Sequence, residues 1–183
     1  MDAETTETTA VTALPTGGFQ LTSTSMPVRV KQNGAWHPID LDLTRTAAGW
    51  TPIATAQPVV FSAGGSGPLV VATDPVSGKR ISVSWPGALP APTIAGDTAT
   101  YPNVLSGVDL HVQAVDTGYH EVLIVHDAAA AADPGLKTLT FRVSADNGVS
   151  FTAGAHGALR ASAGTGTAFT AAQPMAWDST PAG

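Results

Sequence analysis

The sequence contains no cysteine among its 183 residues. Disulfide bonds, thiolate metal sites and a cysteine nucleophile are therefore excluded. Charged residues are also scarce, at 12% of the chain, and the formal net charge is −6. A weakly acidic chain lacks the basic surface that nucleic acids require, so we expect no nucleic-acid partner. No uninterrupted apolar run approaches the ~20 residues that span a bilayer, so we expect no membrane insertion.

The first residues lack the apolar segment of a signal peptide, since Asp2 and Glu4 closely follow Met1. The composition is rich in threonine, alanine and glycine and poor in lysine, which is typical of exported proteins. We therefore expect a mature fragment of an extracellular protein, secreted or held at the cell surface, from which the signal peptide is absent.

Glycine occurs 19 times and proline 14 times, with short runs rich in valine and threonine between them. This pattern is typical of many short strands separated by turns. We predict an all-β fold, an antiparallel β-sandwich of the super-sandwich-like kind, with roughly a dozen strands. Asn33-Gly34 predicts one hairpin turn. At most one short helical turn is expected, at Ala128–Ala132, capped by Asp127.

The length is that of one domain with tails. Residues 1–18 form a polar tract without apolar periodicity and are predicted to be a disordered tail or linker. The sandwich is predicted to span residues 19–180. Residues 181–183 are predicted to begin a linker to a downstream region.

The stretch from 101 to 126 is predicted to form the central hairpin of the sandwich. Apolar residues occupy every second position of its first half, which predicts a strand with one buried face. Asp116-Thr117-Gly118 supplies a tight turn, and Tyr119–Val125 returns as a second strand. The alternating apolar residues are Val108, Leu110, Val112 and Ala114.

The length of the turn decides which residues of the second strand face the core. A three-residue loop places Val112 opposite Val122 and Leu110 opposite Ile124. We favour this register and predict that these four residues form the centre of the core. The strand that follows, with Phe141 and Val143 alternating, is predicted to lie beside the hairpin in the same sheet.

The histidines do not converge in either register of the hairpin. A three-residue loop places His126 opposite Val108, whereas a two-residue loop would place it opposite Asp109. Zinc requires three or four ligands, and neither arrangement supplies them. We therefore predict no metal site and no cofactor. The histidines are His37, His111, His120, His126 and His156.

Asp40 and Asp42 lie on one face of a predicted strand, with Leu41 between them. Calcium requires about six oxygen ligands, and paired catalytic carboxylates require a partner on another strand. Gly64-Gly65-Ser66-Gly67 lacks the spacing of a nucleophile elbow and precedes Pro68 rather than a helix. We predict no catalytic residue, and a hydrolase is the least favoured function.

Tryptophan is the residue type here that best suits ligand binding, since indole rings stack on sugars and anchor interfaces. Trp36 and Trp85 fit strand patterns and are expected in the core. Trp50 follows a glycine turn and is expected to be the most exposed tryptophan. Trp50, and after it Trp36, are therefore the candidate ligand-binding residues, with glycans as the candidate ligand. For both residues, hydrophobic packing is favoured over ligand binding.

The order of several short motifs resembles that of a known kind of module. The chain is similar to an N-terminal β module of large secreted multi-domain proteins from high-GC Gram-positive bacteria, which precedes LamG-like, DNRLRE or Rhs/YD-repeat domains. The resemblance covers about residues 19–180 and implies an extracellular, non-catalytic part whose partners are the downstream domains. The motifs are residues 28–40, 64–69, 85–93, 100–110 and 175–179.

The resemblance and the strand pattern together predict a structural or interaction module that spaces or presents downstream domains of the same polypeptide. A carbohydrate-binding module is the first alternative and a hydrolase domain the second.

Overall fold

A computed structural model describes residues 5–177 of the chain. In this part the chain forms 17 β-strands in five antiparallel sheets, together with one α-helical turn. The predicted all-β class and antiparallel sandwich are confirmed, with more strands than the predicted dozen. Residues 1–4 of the predicted tail, residues 178–180 of the predicted sandwich and the predicted linker at 181–183 lie outside the described residues.

The strands follow one another along the chain with short connections. They are β1 (Thr9–Ala13), β2 (Phe19–Ser23), β3 (Arg29–Gln32), β4 (Ala35–Pro38), β5 (Asp40–Arg45), β6 (Trp50–Ala54), β7 (Val59–Phe61), β8 (Val70–Thr73), β9 (Arg80–Ser84), β10 (Thr93–Ala95), β11 (Thr98–Leu105), β12 (Val108–Val115), β13 (Gly118–Val125), β14 (Arg142–Ala145), β15 (Val149–Ala153), β16 (Leu159–Ala163) and β17 (Gly166–Ala171). The helical turn α1 spans Ala128–Ala131, and 3₁₀ turns lie at Pro134–Leu136 and Ala155–Gly157.

Two of the sheets pack face to face to form the sandwich. The larger has the strand order β14-β9-β8-β7-β6-β5, and the smaller has the order β10-β11-β12-β13. Phe61 on β7 and Tyr101 on β11 are both completely buried and belong to one apolar cluster. The core therefore lies between the two sheets and draws on the inner face of each.

The first strand of the central hairpin packs as predicted. Leu110 and Val112 are buried, with Val108 and Ala114 beside them, while Asp109 and its alternating neighbours face away from the core. A strand with one face toward the core requires this period of two. The alternation therefore predicted the inner face of β12 correctly.

The predicted three-residue register of the hairpin is wrong. Val115 pairs with Gly118, so the turn contains only two residues, and Ile124 lies opposite Asp109 rather than Leu110. Gly118 has φ +141°, a backbone region that side chains rarely allow, and it serves as the first residue of β13 instead of the last of the turn. Ile124 is consequently 36% exposed on the outer face, and Leu123 packs against the core in its place.

The predicted position of the following strand is also wrong. β14 pairs with β9 at the edge of the six-stranded sheet, with Val143 opposite Val83, and not with the central hairpin. Val143 is 37% exposed. Phe141 lies just before β14, packs against the core and meets the Trp85 ring edge to face at 5.6 Å between centroids. The chain therefore crosses from one sheet to the other before β14 begins.

The remaining strands form three smaller sheets beside the sandwich, β1–β2, β3–β4 and β15–β16–β17, and Phe169 of β17 packs against the core. The Asn33-Gly34 turn between β3 and β4 is confirmed, with positive φ at both residues. β1 lies within the segment 1–18 that was predicted to be a tail, and it pairs along its length with β2. Its sequence, Thr-Ala-Val-Thr-Ala, contains one large apolar residue, Val11, and so carries only a weak strand signal.

The helical turn α1 forms where it was predicted. The carboxylate of Asp127 accepts a hydrogen bond from the Ala130 backbone N–H at 2.8 Å and so caps the turn. Ala130 is buried against Gly107, where an added Cβ atom would lie 2.9 Å from the Ala130 Cβ. The glycine therefore allows α1 to pack closely over one end of the central hairpin.

Candidate functional site

Trp36, the second candidate ligand-binding residue, lies on β4 in the β3–β4 ribbon. The side chain is half-buried, and the Lys31 ammonium group lies 5.7 Å from the centroid of its ring. Its indole N–H is buried and has no hydrogen-bond partner within residues 5–177. One side of the ring is therefore occupied by a cation from the paired strand.

Trp50, the first candidate, lies on β6 of the six-stranded sheet and pairs with Phe61. It is half-buried and packs against the core, and the Arg45 guanidinium lies 5.5 Å from its ring centroid. The two candidates therefore lie in different sheets and form no shared aromatic surface on one sheet face. Glycan binding through these rings stays a prediction.

The ranking of the four tryptophans by exposure differs from the expectation. Trp177 is 69% exposed, whereas Trp50 is only half-buried, so the expectation that Trp50 is the most exposed is wrong. Trp85 is 7% exposed and confirms its predicted place in the core. Trp50 turns inward because its strand position places it beside Phe61.

A groove of about 720 Å³ lies where the β3–β4 ribbon meets the sandwich. Gln32 donates a side-chain hydrogen bond to the Ile53 carbonyl oxygen at 3.1 Å, which joins the ribbon to β6. Asp40 from β5 and Asp116 from the turn of the central hairpin both line the groove. No local sequence pattern indicates this arrangement, because Asp116 approaches from a distant part of the chain.

The two acidic residues of β5 alternate with apolar residues as predicted. Asp40 and Asp42 are exposed, while Leu41 and Leu43 pack against the core. The Asp42 backbone N–H donates a hydrogen bond of 3.1 Å to the Asp40 carboxylate. The Asp40 carboxylate therefore helps to shape β5, at the point where the pairing of β5 with β6 is irregular.

A carboxylate–imidazole pair lies at the end of the central hairpin. The Asp109 carboxylate accepts a hydrogen bond from the Asn103 backbone N–H at 2.7 Å, and its other oxygen lies 3.0 Å from the His126 Nε2 atom. These two bonds, the Asn103 bond foremost, hold the pKa of Asp109 below its usual range. Asn103 has φ +51° within a break in the pairing of β11 and β12, so the carboxylate holds this irregular backbone in place.

The position of His126 follows from the two-residue turn. Because Asp116 and Thr117 form the turn, the backbone of His126 lies beside Gly107, and its N–H donates to the Gly107 carbonyl oxygen at 3.0 Å. The expectation that a two-residue turn places His126 opposite Asp109 is wrong. The imidazole nevertheless reaches Asp109 diagonally. Among residues 5–177, no three or more histidine and acidic side chains gather in a way that could hold a metal ion.

Two further carboxylates stabilise the six-stranded sheet, Asp74 within a turn and Asp146 between two paired strands. Asp74 is 8% exposed and accepts hydrogen bonds from the Ser77 hydroxyl and the Ser77 backbone N–H, which lower its pKa. Asp146 accepts side-chain and backbone hydrogen bonds from Arg80, and these likewise lower its pKa. Each of these carboxylates therefore stabilises the connection at an end of β9.

Glu121 on β13 faces the inner side of the sheet, opposite Val112. It is exposed at the sheet edge, but loss of water around its carboxyl raises its pKa. Burial likewise raises the pKa of the nearby Tyr119, whose ring meets Phe61 edge to face at 6.3 Å. An inward-pointing carboxylate on an edge strand discourages pairing with another chain.

Comparisons of the chain with protein-family models, with curated proteins and with solved structures found no match. Within the part of the chain that the structure describes, no helix has both the length and the apolar composition to cross a membrane.

Proposed function

We propose that the chain is a non-catalytic structural and interaction module of an extracellular protein, which spaces or presents adjoining domains of the same polypeptide. The main observation behind this proposal is that the described part of the chain divides into a packed sandwich and smaller separate sheets, of which only β15–β16–β17 adds a side chain, Phe169, to the core. The sandwich is built from strands between β5 and β14, whereas β1–β2 precedes it and β15–β17 follows it. A folded body flanked by smaller sheets on both sides in the sequence suits a spacer between domains.

The roles of the perturbed carboxylates support a structural function. Asp74 holds the turn before β9, Asp146 joins the end of β14 to the start of β9, and Asp109 holds the irregular backbone at Asn103. Perturbed carboxylates also occur in catalytic sites, where they meet in a cleft. Here each binds a backbone N–H group of its own turn or of the paired strand, which stabilises turns and strand pairing.

The positions of the resembling motifs also support the proposal. Tyr101 and Trp85 are buried in the core, and Gly64 approaches the chain so closely that an added Cβ would lie 3.0 Å from the Pro90 carbonyl oxygen. Gly65 forms an isolated bridge with Leu89 on the same side of the loop. Residues of the three motifs at 64–69, 85–93 and 100–110 therefore have packing roles.

Urea unfolding tests whether the module is an autonomous spacer. We expect one cooperative transition, with the same midpoint by far-ultraviolet circular dichroism and by tryptophan fluorescence, because Trp85 reports on the shared core. A folded reporter domain fused after residue 183 should leave that midpoint unchanged. A broad, non-cooperative transition that sharpens only in the fusion would show that the chain needs its neighbour to fold, and it would contradict the spacer function.

A further inference from the structure

The β1–β2 ribbon differs from every other sheet that the structure describes. It is the only one of the five without a charged side chain, and no charged residue occurs anywhere between Thr8 and Val28. Three of the four edge strands of the sandwich carry charges, with Asp40 on β5, Glu121 on β13 and Arg142 on β14, whereas β10 carries none. Charged side chains on an edge strand oppose pairing with another chain. The β1–β2 ribbon lacks this protection.

The exposed strand β2 offers both an edge and an apolar face. All five of its residues are exposed, with Phe19 at 69% and Leu21 at 66%. Phe19 pairs with Ala13, and Leu21 pairs with Val11, so these four apolar side chains share one face of the ribbon, with the Thr9–Ser23 pair at its end. Within residues 5–177, β2 pairs with β1 alone, and its pairing contains neither a proline nor a bulge. A regular, uncharged edge of this kind is a template for sheet extension.

We propose that two copies of this chain associate by antiparallel pairing of β2 with β2, which joins their ribbons into one four-stranded sheet. The sequence of β2 is self-complementary in the register centred on Leu21. Leu21 then meets the partner's Leu21 on the two-fold axis, and Gln20 lies opposite the partner's Thr22. Phe19 and Leu21 share one face with Ser23, which lies opposite the partner's Phe19, while Gln20 and Thr22 share the other face. Every pair recurs on both sides of the axis, as an isologous two-fold interface requires.

The charge of the chain favours this surface over others for contact between copies. Each copy carries a formal net charge of −6, so two copies repel one another at most approaches. The repulsion is weakest where the approaching sheets carry no charge. Pairing of two five-residue strands buries much less surface than the roughly 1,200–2,000 Å² that stable interfaces bury. The association is therefore weak and depends on concentration. This inference does not depend on the proposed function.

Variants that place a negative or a positive charge at Leu21, on the two-fold axis, test the pairing. Sedimentation velocity of the whole chain between about 10 μM and about 1 mM should show a sedimentation coefficient that rises with concentration. Leu21→Asp and Leu21→Lys should each remain monomeric, because two like charges would meet on the axis. An equimolar mixture of the two variants should associate again, because an aspartate then meets a lysine. Hydrogen exchange at the β2 amides of the unmodified chain should slow as its concentration rises.

Val76→Asp is the matched control, because Val76 is 92% exposed and lies in the turn between β8 and β9. This variant removes an exposed apolar side chain elsewhere and should associate as the unmodified chain does. An unmodified chain that stays monomeric at every concentration overturns the proposal. So does association of either Leu21 variant alone, or a mixture of the two that stays monomeric.

Discussion

The Tyr101 hydroxyl group donates a hydrogen bond of 2.8 Å to the backbone carbonyl oxygen of Ser62. Tyr101 belongs to the four-stranded sheet, and Ser62 directly follows β7 of the six-stranded sheet. Burial raises the pKa of the Tyr101 hydroxyl, which therefore remains a proton donor at all ordinary pH values. This bond joins the two sheets at the centre of the core and gives their packing a defined alignment.

Tyr101→Phe should lower the free energy of unfolding by about 1–2 kcal/mol, because it leaves the Ser62 carbonyl oxygen without this donor. Urea unfolding at neutral pH measures the change. Tyr119→Phe is the matched control, since no hydrogen bond to the Tyr119 hydroxyl is formed within residues 5–177. Its stability should change by less than about 0.5 kcal/mol. Equal losses in the two variants would show that the bond between the sheets contributes nothing specific.

The two-residue turn predicts which side chains of the central hairpin matter for stability. Leu110 is 1% exposed, and Leu110→Ala should cost about 2–5 kcal/mol through lost burial and the cavity it leaves. Ile124 is 36% exposed on the outer face, and Ile124→Ala should cost less than about 1 kcal/mol. Urea unfolding of both variants measures the two losses of unfolding free energy. A loss at Ile124 as large as that at Leu110 would instead support the three-residue register.

Glu121→Gln should stabilise the protein at about pH 7. The pKa of Glu121 is raised in the folded state, so the unfolded chain gives up this proton at a lower pH than the folded chain does. The stability of the unmodified protein therefore falls as pH rises from about 4.3, the usual pKa of glutamate, through the raised value. Glutamine does not ionise, so the variant does not lose stability in this way as the pH rises.

Urea unfolding near pH 7 and near pH 3 follows the effect of Glu121→Gln, since at about pH 3 the carboxyl is protonated in both states and the two proteins should be equally stable. Glu7→Gln makes the same change of charge at an exposed position outside the sandwich and controls for net charge. A glutamine variant that is less stable at neutral pH would mean that the charged form of Glu121 stabilises the fold.

The inner face of β12 could be predicted from the sequence because polar and apolar residues alternate strictly around Leu110 and Val112. The neighbouring strand β13 gave no such pattern, since Val122 to Val125 are all apolar and either face could turn inward. Its register then depended only on the length of the turn. Gly118 was read as part of that turn, and a shift of one residue moved every side chain of β13 to the other face.

The groove and the pairing of β14 could not be predicted, because both depend on contacts between residues far apart in the chain. Asp40 and Asp116 reach the same groove only once the two sheets have packed. The short sequence around Val143 suits several sheet edges equally well. The positions of both tryptophan candidates likewise depend on cations of the paired strands, Lys31 and Arg45, and no local pattern indicates such stacking.

The pairing of β14 with β9 has a consequence for synthesis on the ribosome. The strands β5 to β9 lie in consecutive order in their sheet, and so do β10 to β13 in theirs, so each set can pair as soon as it has emerged. β14 emerges only after all of them. Until then β9 presents an open edge to other nascent chains. The last strand to leave the ribosome tunnel among those of the sandwich is thus the one that removes this hazard.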